Sequence, residues 1–210
     1  IIYAPKTVTG KYTVPNTISH IGAKAFYQCT GITEIVIPKH VLSIGDRAFA
    51  YCANVEKITF NGSRRGNLTI GEYAFSANKK LQSVVFKGNA EGTLEVGATT
   101  IGAYAFAPYI ETTTGTINGV SVKAGDIVAD LRTVTFEPGV NVEKIGDHAF
   151  EKQPLLFKVE FGKDARINEI GSYAFAENII LKEVNIPATT TKIGDHAYAG
   201  CVAVTHVTLV

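Results

Sequence analysis

The chain has 210 residues, with 20 Lys+Arg against 19 Asp+Glu and a formal charge of +1. A balance this close to neutral excludes a surface that tracks nucleic-acid phosphates or anionic lipid, since both need a net basic face. With 46% hydrophobic and 10% aromatic residues the chain reads as folded, and no apolar run approaches the roughly 18 residues of a membrane helix. Three cysteines are too few, and odd in number, for a disulfide scaffold.

In chain order, residues 1–14 fit the pattern that follows only at their end, where Tyr12-Thr13-Val14-Pro15 resembles a strand stopped by proline. They are expected to form a partial N-terminal unit or cap. From Ile21 a hexamer I-G-x-x-A-[FY] recurs, at Ile21–Phe26, Ile44–Phe49, Ile70–Phe75, Ile101–Phe106, Ile145–Phe150, Ile170–Phe175 and Ile193–Tyr198. The isoleucines are spaced by 23, 26, 31, 44, 25 and 23 residues. A fixed period with insertions is the signature of a solenoid, in which each coil leaves apolar faces that its neighbours cover. The hexamer glycine is expected to permit a tight turn into a short helical or 3₁₀ piece. Asp46, Asp147, Ser172 and Asp195 follow that glycine and suit an N-cap.

A second block follows each hexamer, as in Ile32-x-x-Ile35-x-Ile37, Val55-x-x-Ile58-x-Phe60 and Leu131-x-x-Val134-x-Phe136. Its alternating, β-branched ending predicts a short strand. Alternation sends two columns outward. One is Glu34, Lys57, Ser83, Thr133, Lys158, Glu183, His206; the other is Val36, Thr59, Val85, Thr135, Glu160, Asn185, Thr208. The middle of this face, with Thr59, Val85, Thr133 and Thr135, is expected to be flat, mildly apolar and available to a partner.

Three residues after the hexamer aromatic lies a turn column of Cys29, Cys52, Asn78, Tyr109, Gln153, Asn178 and Cys201. It holds every cysteine of the chain, which reads them as structural. Cys29 and Cys52 should lie about 5 Å apart on adjacent coils, within disulfide reach, although parallel side-chain directions oppose a bridge. Two residues before the hexamer aromatic, Lys24, Arg47, Tyr73, Tyr104, His148, Tyr173 and His196 form a planar-rich column. It should face outward, either covering the wall or lining a glycan-contacting stripe.

The fourth unit carries the largest insertion, residues 108–130. Within it Asn118-Gly119 sits between β-formers, a strong hairpin signal, and predicts a hairpin projecting from the solenoid. Smaller excursions fall at residues 62–67 and 88–100. The five histidines show no ligand-pair spacing, and no phosphate loop, nucleophile elbow or calcium loop occurs. No catalytic, metal or cofactor residue can be nominated. The missing Met, and a last unit that stops inside its strand at Val210, suggest a stretch of a longer chain whose open solenoid ends could self-associate.

The unit running from Ala25-Phe26-x-x-Cys29 through Ile37-Pro38 to Ile44-Gly45, repeated from Ala174-Phe175 through Ile186-Pro187 to Ile193-Gly194, resembles the BspA-type leucine-rich repeat of bacterial surface proteins. The likeness covers roughly residues 8–210 and departs at Tyr109, Gln153 and the long fourth unit. It implies a single leucine-rich repeat domain, a right-handed solenoid of about seven 23-residue coils. Short parallel strands would form one wall, and short helical or turn segments or short strands the other. It also implies a non-enzymatic extracellular or cell-surface module that binds a host or neighbouring-cell protein, or a glycan, without a cofactor. A structural spacer presenting another domain is the alternative.

Overall fold

The computed structural model describes residues 7–62, 66–88, 97–112, 114–117 and 120–209. They form a parallel β-solenoid of about seven turns, and no helix occurs among them. The V-x-F blocks build the first wall from β1 (Gly10–Thr13), β3 (Ile32–Ile37), β5 (Lys57–Phe60), β7 (Ser83–Phe86), β13 (Thr133–Phe136) and β15 (Lys158–Phe161). These pair in that order as one parallel sheet, and β17 (Glu183–Ile186) with β19 (His206–Leu209) form a second, two-stranded sheet. The hexamer isoleucines end the strands of the second wall: β2 (His20–Ile21), β4 (Ser43–Ile44), β6 (Leu68–Ile70), β8 (Thr99–Ile101), β14 (Asn141–Ile145), β16 (Arg166–Ile170) and β18 (Lys192–Ile193). The N-terminal segment is more than a loose end, since β1 pairs with β3.

Two stacks of rings fill the space between the walls. Phe60, Phe86, Phe136 and Phe161 lie face to face at 4.5–5.1 Å. The hexamer rings run from Phe26 through Phe49, Phe75, Phe106, Phe150 and Phe175 to Tyr198, at 4.6–5.4 Å. The stacks meet edge to face, with Phe60 against Phe75 at 88°, the arrangement favoured by ring quadrupoles. Each ring needs the ring of the next coil, so no coil closes its own core.

The segment after the hexamer glycine departs from the expected helical piece. It is a ladder of turns. Lys24, Arg47, Tyr73, Tyr104, His148, Tyr173 and His196 all have φ between 53° and 58°. Gln28, Tyr51, Ala77, Lys152 and Glu177 are also left-handed, at 57–60°. Alternating hands turn the peptide planes so that alternate N–H groups point to the next coil. Lys24, Phe26 and Gln28 donate to Asp46, Ala48 and Ala50, and Arg47, Phe49 and Tyr51 to Glu72, Ala74 and Ser76. The intervening groups close local turns, as Ala25 N–H to Gly22 and Tyr27 N–H to Lys24. Each of these groups gains a partner, which buried backbone demands, without a helix. Two of the expected N-caps bond across coils instead: Asp46 Oδ1 accepts from the Glu72 N–H at 2.9 Å, and Asp147 Oδ1 from the Ser172 N–H at 3.0 Å.

From Gly45 onward the hexamer glycines serve close approach rather than unusual φ. A Cβ on Gly102 would lie 2.6 Å from the Ile70 carbonyl oxygen and 2.7 Å from the Gly71 carbonyl carbon. In the fourth unit, β9 (Tyr109–Ile110) pairs antiparallel with β12 (Ile127–Val128), and β10 (Gly115–Ile117) with β11 (Val120–Val122). The Asn118-Gly119 tip, and residues 63–65 and 89–96 of the smaller excursions, lie outside the described residues.

Candidate functional site

The outward rows of the first sheet lie in register across strands. Glu34, Lys57, Ser83, Thr133 and Lys158 are successive Cα partners, as are Val36, Thr59, Val85, Thr135 and Glu160. One expectation is corrected here. Thr59 is 7% exposed, because Val36 and Val85 flank its short side chain on both sides. It supports the face rather than offering a contact. Glu34, Val36, Ser83, Val85, Thr133 and Thr135 are half-buried, while Lys57, Lys158 and Glu160 are exposed. The centre, on β7 and β13, is thus short and uncharged, with exposed Lys57 beside it on β5. Charges gather at its ends: Lys11 pairs with Glu34 at 3.1 Å, and Lys158 with Glu160 at 2.9 Å.

The turn column is a row of internal donors. Cys52 Sγ donates to the Phe26 carbonyl at 3.1 Å, and Cys201 Sγ to Phe175 at 3.1 Å. Asn178 Nδ2 donates to the Phe150 and Phe175 carbonyls at 3.2 and 2.8 Å, and its Oδ1 accepts from the Gln153 N–H at 2.9 Å. Asn78 Nδ2 donates to its own coil's Phe75 at 3.0 Å. Gln153, which breaks the Asn/Cys pattern in sequence, does the same work, Nε2 to the Phe106 carbonyl at 2.9 Å. None of Cys29, Cys52 and Cys201 forms a disulfide, and Cys29 and Cys52 are buried. Burial pushes the Cys52 thiol up to about 12, far from a nucleophile's range.

The planar-rich column is a continuous ladder on the turn wall. The Arg47 guanidinium sits 4.7 Å over Tyr73. Tyr73, Tyr104, His148, Tyr173 and His196 then stack at 4.5–5.0 Å with planes within 3°. Their faces cover one another, so the ladder offers ring edges rather than faces. On the second wall Glu169 bridges Lys192 at 2.9 Å and Lys144 at 3.1 Å. The hydrogen bond from Lys192 holds its carboxyl below the usual range. No group of three or more His, Cys, Asp or Glu arranged to hold a metal occurs among the described residues. No helix among them is long and apolar enough to cross a membrane.

Sequence reasoning found the sheet rows and the turn column. It missed the left-handed backbone beneath the ladder, for which the sequence carried no glycine or asparagine signal.

The model of the BspA type leucine rich repeat region matches in six copies, over residues 6–124 and 99–210. Among solved structures the chain is similar to the leucine rich repeat protein TpLRR of T. pallidum, 18% identical with a TM-score of 0.48, over 99% of this chain and 75% of that one. It is also similar to a leucine rich cell surface protein from Faecalibacterium prausnitzii A2-165, 21% identical with a TM-score of 0.37, over 97% of this chain and 60% of that one. The pneumococcal vaccine antigen PcpA is 16% identical, with a TM-score of 0.34, over 99% of this chain and 74% of that one. No curated protein matches the chain. The repeat seen in the sequence, the stacked coils and the family match over nearly the whole length agree, and the chain belongs to the BspA-type leucine-rich repeat family.

Proposed function

We propose that the chain is a non-enzymatic, extracellular adhesion module that binds a protein of a host or neighbouring cell through the outward face of its six-stranded sheet. The observation that carries this reading is the in-register centre of Ser83, Val85, Thr133 and Thr135 on β7 and β13, bordered by Lys57 on one side and by Lys158 and Glu160 on the other. An uncharged, close-packed middle within a polar rim is the anatomy of protein interfaces. The short side chains there cost little conformational entropy to immobilise. Repeat proteins also commonly use the extended surface that stacking creates. A surface location fits the family and the description of the Faecalibacterium relative as a cell surface protein.

The experiment is capture of the chain on a panel of purified extracellular-matrix proteins and mucin, beside the double variant Val85→Lys, Thr135→Lys. Both positions are half-buried on the sheet surface, so the variant should stay folded by far-ultraviolet circular dichroism. At least one panel protein should capture the wild-type chain and lose the variant. Capture unaffected by the variant would place binding elsewhere. No capture across the panel would favour a spacer that presents other domains.

A further inference from the structure

The turn wall carries a cleft that the sheet-face reading does not use. Its volume is about 480 Å³, within the size range of small-molecule sites. The columns explain why it forms there. The positions just after the hexamer aromatics are small in the third and fourth coils, Ser76 and Ala107, and make a low floor. The ring ladder, here Tyr73 and Tyr104, stands along one side. On the other side these coils carry only Ala77 and Pro108, but β9 of the insertion rises there and places Tyr109 and Ile110 opposite the ladder. Tyr51 stands at one end, edge-on to Tyr109 with ring centroids 6.1 Å apart. Glu151 closes the other end, its Oε2 within hydrogen-bond distance of His148 Nδ1 at 2.7 Å and its Oε1 pairing with Lys152 at 3.5 Å.

We propose that this cleft is a saccharide-binding site that takes a neutral pyranose ring of an oligosaccharide. The chemistry of its lining selects that class. Tyr51 and Ile110 are exposed apolar surfaces at 39% and 53%, suited to the C–H face of a sugar ring. The phenol hydroxyls of Tyr73 and Tyr104 have no hydrogen-bond partner among the described residues, so both can pair with sugar hydroxyls. Desolvation, with Tyr73 and Glu151 nearby, pushes the Tyr104 phenol upward and keeps it a donor. A purely apolar ligand would strip water from these hydroxyls and from Glu151 with nothing in exchange, which is unfavourable. A charged ligand finds no surplus charge, because Glu151 already faces Lys152 and His148. The rings' mutual stacking matters too: the ladder's faces are occupied, so the sugar rests on Tyr51 and Ile110 while the ladder supplies hydroxyls.

The test uses the whole chain with maltotriose and triacetylchitotriose as probes, followed by saturation-transfer NMR. The chain has no Trp, so its tyrosine fluorescence, to which the four cleft tyrosines of the nine contribute, gives a second readout. At least one trisaccharide should bind at millimolar or lower concentration. Ile110→Arg, at an exposed position outside the core, and Tyr51→Ala, which removes the other surface the sugar rests on, should each weaken binding about tenfold, the loss of one good contact. The sheet-face variant Val85→Lys, Thr135→Lys should bind the sugar as the wild type does, so this site and the protein-binding face fail independently. Absence of binding by both trisaccharides at millimolar concentration, or affinity within about twofold of wild type in both cleft variants, overturns the proposal.

Discussion

Asn178 is where the stacking of coils can be measured through one side chain. It is fully buried and joins three backbone groups of two coils. Replacing it with Ala leaves the Phe175 carbonyl with Cys201 Sγ as donor. The Phe150 carbonyl and the Gln153 N–H lose the partners described for them. A buried polar group left unpaired costs about 1–3 kcal/mol, so with two such groups Asn178→Ala should destabilise the chain by about 2–6 kcal/mol. Asn178→Cys separates the two terms. The thiol can donate to the Phe150 carbonyl as Cys52 does to Phe26, but it is a weak acceptor for the Gln153 N–H. Its cost should be about half as large, roughly 1–3 kcal/mol, that of one unpaired group. Urea unfolding followed by circular dichroism measures both, provided the slope with denaturant is unchanged. A cost below about 1 kcal/mol for Ala, or equal costs for Ala and Cys, would refute the assignment of this column as cross-coil donors.

Three further outcomes follow from the backbone and the buried thiols. Gly102→Ala should destabilise by about 2–3 kcal/mol, as overpacking does, because its Cβ meets the backbone of the coil below; thermal unfolding reads this. Glu177→Gly should have the opposite sign and raise stability by up to about 1 kcal/mol, since a left-handed residue at φ 58° carries a steric cost that glycine avoids. The same unfolding experiment would contradict the turn-ladder account if Glu177→Gly were clearly destabilising. Cys52 should resist iodoacetamide in the folded chain while half-buried Cys201 reacts first. With its thiol near 12, only about one Cys52 in ten thousand is thiolate at pH 8. Peptide mapping that found Cys52 alkylated as fast as Cys201 would contradict its burial.

The periodic residues make the solenoid legible in the sequence itself. The isoleucine and phenylalanine columns fix which residues share a face, and the V-x-F alternation fixes which side chains look outward. Lys57, Lys158 and Glu160 are exposed as that alternation requires. Thr59 is the exception, since burial by cross-strand neighbours depends on side-chain size in the adjacent coils and not on alternation. The turn ladder is illegible for a different reason. Left-handed residues are ordinarily sought as glycine or asparagine, yet here they are Lys, Arg, Tyr and His, held by bonds to the next coil. A repeating local pattern of this kind reads as a short helix when the cross-coil partner is unseen. Gln153 is hidden similarly: its longer side chain reaches the same carbonyl that Asn or Cys reaches elsewhere. The cleft on the turn wall needs three columns and an insertion at once, and none of them announces it alone.

The central functional claim is that the sheet face makes the protein contact. Hydrogen exchange of the chain alone and with a captured panel protein tests this most directly. New protection should concentrate in β5, β7 and β13, around Lys57, Ser83, Val85, Thr133 and Thr135, with the turn wall unchanged. Protection confined to the turn wall or to β9–β12, with the sheet strands unaffected, would contradict it.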